Sequence, residues 1–169
     1  AHVYTATVAT VTTLLSDDFE SDLSWTVDSA PGMTSGMWTR AVPVGGDYGP
    51  DADYDGSGMC YVTDNRRTYD VDGGPTHLTS PAFDMSAMHS PIVRFAEFLF
   101  CDDAEVYPVT QDFLDVYLSS DGGATWVLAG QYASHDNWVM HEIRVADFIP
   151  LTATVQVRFT ANDTPNNSQ

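Results

Sequence analysis

Phe113 to Leu128 reads FLDVYLSSDGGATWVL, and this stretch decides the fold class of the chain. Leu114, Val116 and Leu118 alternate with Asp115 and Tyr117 at the period of a strand with one buried face. Asp121-Gly122-Gly123 is a turn, because its glycines reach positive φ without a Cβ penalty. Thr125, Trp126, Val127 and Leu128 then resume a β-forming composition. The spacing predicts a β-hairpin.

Outside that hairpin the chain repeats the same grammar. Strands are expected over Leu23–Val27, Met37–Val42, Met59–Thr63, Thr76–Phe83, Ile92–Phe100, Val139–Val145 and Ala153–Thr160, joined by turns rich in Asp, Gly and Pro. The Thr- and Val-rich segment from Tyr4 to Leu15 adds an imperfect candidate. In Asp18-Phe19-Glu20, strand alternation sends Phe19 inward and the two acids outward. No stretch has sustained helical spacing, so about nine or ten strands must cover one another. An all-β, two-sheet antiparallel β-sandwich of jelly-roll type over residues 1–169 is the expected architecture.

Charge narrows the function. Six Lys plus Arg, all of them arginine, stand against 24 Asp plus Glu, for a formal net charge of -18. That field repels nucleic-acid phosphates and anionic membranes. No apolar run reaches the roughly 20 residues of a membrane-spanning helix. Clustered carboxylates either serve solubility in a salty medium or bind hard cations through oxygen, and calcium suits the second role. Asp51-Ala52-Asp53-Tyr54-Asp55-Gly56 begins like an EF-hand loop, but its twelfth position is Val62 where a bidentate glutamate is required. Cys60 and Cys101 allow either one disulfide or two buried thiols.

Catalytic patterns are poor. His2, His77, His89, His135 and His141 show no HExxH or close ligand spacing, and no Gly-x-Ser-x-Gly occurs. His141 shares the apolar face of its strand with Val139 and Ile143, which reads as a semi-buried structural histidine. Glu20, Glu97, Glu105 and Glu142 offer carboxylates for a glycosidase-like pair, but spacing alone sets no separation. A polysaccharide-active enzyme is the weakest of the functional readings.

Two resemblances add to this reading. Ser119, Asp121, Gly123, Thr125 and Trp126 match Ser-x-Asp-x-Gly-x-Thr-Trp, which resembles the Asp-box of sialidase propellers and other β proteins and implies a pinned turn without chemistry. More broadly, DFE at Asp18–Glu20 followed by Trp25, Met37-Trp38, DVDGGPTHLTSPAFDMS from Asp70, the apolar strand from Ile92, SSDGGATW, and VQVRFTANDTPNNS form an ordered series. That series resembles the jelly-roll modules related to MAM and cleaved-adhesin domains, carried by secreted bacterial proteases, adhesins and surface proteins.

The resemblance implies a non-catalytic, calcium-stabilised adhesion or assembly module, secreted or on the cell surface, with Glu20 and Asp163 as acidic metal ligands. Asp72 comes next as a supplementary ligand, with Asp18 beside Glu20 and with Asp53 and Asp55 as an alternative site. Such modules continue into one more strand, whereas this chain stops at Gln169 and opens on Ala1-His2-Val3; excision from a larger secreted protein and a missing final strand are therefore expected. An open sheet edge of that kind favours a homo-oligomer or a contact with a neighbouring domain or surface protein. Carbohydrate binding is the alternative function, with Trp38 and Trp138 as stacking contacts for a polysaccharide.

Overall fold

The computed structural model describes residues 11–46, 49–100 and 112–163. Expectations that concern His2, most of the Tyr4–Leu15 segment, Cys101, Glu105 and the tail after Asp163 lie outside the described residues.

The FLDVYLSSDGGATWVL hairpin forms as its alternation dictates. Strand β6 (Leu114–Ser119) pairs antiparallel with β7 (Val127–Tyr132), and Leu114, Val116 and Leu118 are buried. At the tip, the Ser119 hydroxyl accepts hydrogen bonds from the amides of Asp121 and Gly123 at 3.3 and 2.9 Å. Asp121 in turn receives the Thr125 amide at 2.9 Å and the Thr125 hydroxyl at 2.6 Å. Gly122 and Gly123 hold φ of 69° and 88°, a region that disfavours a side chain. The Trp126 ring lies under the Arg158 guanidinium, 3.8 Å from its carbon to the ring centre. The pinned turn inferred from the Asp-box pattern is present in full.

Around this hairpin a five-stranded antiparallel sheet assembles in the order β1-β4-β9-β6-β7, where β1 is Thr26–Ser29, β4 is Gly73–Thr79 and β9 is Gln156–Asp163. Two shorter ladders complete the described strands: β2 (Trp38–Ala41) with β3 (Cys60–Thr63), and β5 (Ile92–Leu99) with β8 (His135–Arg144). Leu78, Val116, Leu118, Val157 and Phe159 from the large sheet share one core with Ile143, while Val93 and Phe95 pack against it from β5. Phe95 and Phe159 meet edge to face at 4.9 Å across the two layers. These antiparallel layers form an all-β sandwich; the pairings do not establish jelly-roll connectivity.

One local expectation changes. Asp18-Phe19-Glu20 is not a strand: Asp17 caps the amide of Phe19 at 2.8 Å, Asp18 caps that of Glu20 at 3.1 Å, and Phe19 takes φ of 62°. Short carboxylates compete with the extended ladder for backbone amides, and here two in succession win. Phe19 still points inward, edge-on to Trp25 and Tyr61 at 5.6 and 5.2 Å. β9 is central, flanked by β4 and β6, so among the described residues the edges of the large sheet are β1 and β7.

Candidate metal centre

The strand IVRFAEFLF carries one carboxylate among apolar neighbours, and the β5–β8 ladder turns it inward. Phe95 lies opposite His141 and Glu97 opposite Val139, which puts Phe95, Glu97, Val139, His141 and Ile143 on the core side. A register shift between Glu97 and Leu99 then brings His135, opposite Leu99, around to the same corner. Glu97 is 5% exposed.

One oxygen of Glu97, Oε2, sits 2.7 Å from His135 Nε2 and 3.0 Å from His141 Nε2. His135 Nδ1 is 2.8 Å from the Ala133 carbonyl, a pure acceptor, so Nδ1 carries the ring proton and Nε2 of the neutral ring presents a lone pair. A lone pair facing a carboxylate oxygen at 2.7 Å is repulsive unless a cation, proton or metal, lies between. Glu97 Oε1 and His135 Nε2 are buried and make no hydrogen bond. Buried polar atoms left this way cost about 1–3 kcal/mol each, and a metal ion satisfies them. Among the described residues, Glu97, His135 and His141 are the one set of three or more His, Cys, Asp or Glu with ligand atoms all within 4.8 Å of one another. The cluster can hold a metal ion.

Its surroundings are aromatic. The Tyr132 ring centre is 4.0 Å from that of His141, and Phe95 is 5.4 Å from it. Burial, then the Glu97 charge, push the Tyr132 hydroxyl above its usual range. The Ala133 carbonyl fixes the His135 tautomer as an outer-shell partner does in metal sites.

The acids singled out in the sequence lie in two other places. Glu20 reaches the Asp53–Met59 loop, where its carboxylate accepts the Met59 amide. In that loop Asp53 is 8% exposed and accepts the Gly58 amide and Ser57 hydroxyl at 2.9 and 3.0 Å, and Asp55 caps the Ser57 amide at 2.9 Å. The Gly58 hydrogen bond above all holds the Asp53 carboxyl below its usual range. Asp18 caps Glu20. Asp163 ends β9 opposite Gly73, next to Asp72 in the chain. Burial, then the charges of Asp72, Asp163 and Asp64, raise the carboxyl of Asp70. Asp163 and Asp72 are therefore neighbours, while Glu20 belongs to the other loop.

The tryptophans expected to stack on glycans are engaged with the fold. Trp38 packs against the core and its indole N–H donates to the Thr76 carbonyl at 3.3 Å. Trp138 donates to the Ala52 carbonyl at 3.0 Å and meets Tyr54 and Phe98 edge to face.

Spacing along the chain missed the histidine–glutamate cluster, because Glu97 precedes His141 by 44 residues. The available clue was the even separation of His135 and His141 on one alternating strand, beside a glutamate inside an apolar one. No helix among the described residues is long and apolar enough to cross a membrane. A scan against protein-family models finds no match, and no curated protein matches the chain.

Proposed function

We propose that the protein is a non-catalytic extracellular module for adhesion or assembly whose sandwich is fastened by bound metal, with zinc as the ion at Glu97, His135 and His141. The carrying observation is the convergence of two imidazole nitrogens on one buried carboxylate. Two nitrogens and an oxygen suit zinc, whereas calcium takes six to eight oxygens. Tetrahedral zinc ligands at about 2.0–2.1 Å stand roughly 3.3 Å apart, close to the 2.7 and 3.0 Å separations here. Ligands from β5 and β8 would make the ion a staple across that ladder. The groove lined by His77, Tyr117, Trp126 and Arg158 shares no residue with these three. Edge strand β7 exposes Val127 and Leu128, a surface suited to assembly.

Calcium remains the second reading, now at Asp70, Asp72 and Asp163, where crowded carboxylates raise the Asp70 carboxyl. Calorimetric titration of metal-free protein separates the two ions. Zinc should bind once per chain and lose its heat in His141→Ala and Glu97→Gln, and calcium should weaken in Asp72→Asn alone. Cobalt gives a spectroscopic check through its tetrahedral absorption bands. Zinc binding unchanged in both folded variants removes the centre, and a strictly monomeric protein by light scattering at micromolar concentration removes self-assembly.

A further inference from the structure

We propose that the outer face of the five-stranded sheet is a binding site for an acidic carbohydrate, with Arg158 gripping the carboxylate of a uronic-acid unit. A groove of about 360 Å³ runs across β4, β9 and β6, lined among others by His77, Asp115, Tyr117, Trp126, Arg158 and Thr160. That volume falls in the range of small-ligand clefts. Strand register builds its floor. His77 and Asp115 flank Thr160, and Thr79 and Tyr117 flank Arg158, so polar and aromatic side chains from three strands stand in adjacent ranks.

The hydrogen bonds show which groups are committed and which are open. His77 Nδ1 lies 2.9 Å from the Thr160 hydroxyl. Asp115 accepts the Tyr117 hydroxyl at 3.2 Å and the Gln131 amide at 2.9 Å, which occupies both carboxylate oxygens with neutral donors. Arg158 is different. Its Nε donates to Thr79 Oγ1 at 3.2 Å and its face rests on Trp126, while its two terminal amino groups make no hydrogen bond among the described residues. It forms no ion pair there either, although acids outnumber bases in this chain by 24 to 6. Burial lowers its pKa, and the charge of Asp28 opposes that shift without reversing it.

A half-buried guanidinium fork, braced on one side by indole, matches a carboxylate geometrically. The surrounding hydroxyl, imidazole, carboxylate and amide groups supply both donors and acceptors, as sugar hydroxyls require. A peptide strand fits less well, because the backbone groups of β9 are already paired with β4 and β6 on both sides. This site owes nothing to the zinc reading and shares no residue with it.

Calorimetry with trigalacturonate, neutral maltotriose and triglutamate as probes tests the assignment on the whole chain. Trigalacturonate should bind saturably and weaken as salt is added. Arg158→Gln should reduce that affinity at least about tenfold, the loss expected for a charged hydrogen-bonding pair. Arg158→Lys should fall between, keeping charge without the fork. Should either variant lose its near-ultraviolet circular dichroism, amide shift mapping on the wild type decides, with changes expected at His77, Asp115, Tyr117 and Thr160. Equal affinity for maltotriose overturns the acidic preference, equal affinity for triglutamate overturns the carbohydrate class, and absence of saturable binding or shifts elsewhere overturns the site. Binding should persist in Glu97→Gln, so its loss there would instead tie the groove to the metal centre.

Discussion

The hairpin tip and the Glu97 corner both place an acid beside hydroxyl or imidazole partners, yet they end in opposite states. Asp121 sits two residues from Ser119 and four from Thr125, and its oxygens collect their amide and hydroxyl donors within one turn. Glu97 is buried against two histidines 38 and 44 residues later in the chain, and Oε1 finds no donor. An acid satisfied by its own turn stabilises structure and leaves no valence for a ligand. An acid buried with an unsatisfied oxygen beside two imidazole nitrogens is a place that can take a cation from outside the chain.

The sharpest way to break this contrast is to remove metal. At a free zinc concentration about 1,000-fold above Kd, binding adds roughly 4 kcal/mol to stability. For a chain of this size that is a melting shift of roughly 8–16 °C between zinc and EDTA. His135→Ala and His141→Ala should abolish the shift in differential scanning calorimetry, while Ser119→Ala should keep it. A shift of the same size in the histidine variants would erase the distinction between the two corners.

A smaller effect tests the satisfied side. Ser119 is 1% exposed, and Ser119→Ala leaves the amides of Gly123 and Asp121 without their acceptor. The expected cost is about 1–3 kcal/mol, read as a lower urea midpoint with an unchanged slope. The loss should be indifferent to zinc. Zinc-dependent destabilisation would mean that the hairpin and the metal corner are coupled across the core.

The smallest effect is in acid. Thr125 first and Ser119 after it hold the Asp121 carboxyl down at about 2, against an ordinary value of 3.8. A carboxyl depressed on folding contributes stability that is complete above the unfolded value and fades as pH falls through the folded one. Wild type should therefore lose a small increment between about pH 4 and pH 2 that Asp121→Asn lacks. Parallel acid-unfolding curves for the two proteins in circular dichroism would show that the turn's hydrogen bonds survive protonation.

Legibility followed the range of the interactions. Ser119, Asp121, Gly123 and Thr125 could be read in order because their partners lie within four residues. Leu114, Val116, Leu118, Val155, Val157 and Phe159 announced their buried face through period-two alternation, a property of the extended backbone itself. Alternation at Asp18-Phe19-Glu20 reads as a strand but coincides there with two consecutive aspartate caps, and nothing in residue type says which wins.

The sequence by itself determined the all-β class, the hairpin and its pinned tip, the inward faces of the regular strands, and a formal net charge of -18. Only the tertiary structure decided that β9 runs through the middle of the large sheet, that Asp163 stands by Asp72 and apart from the loop of Glu20, that Arg158 lies on Trp126, and that Glu97 meets His135 and His141. The physical reason is common to all four. Backbone periodicity and turn chemistry act over a few residues, whereas strand order and register bring together side chains tens of residues apart, and a one-residue slip would turn Glu97 to the opposite face of its sheet.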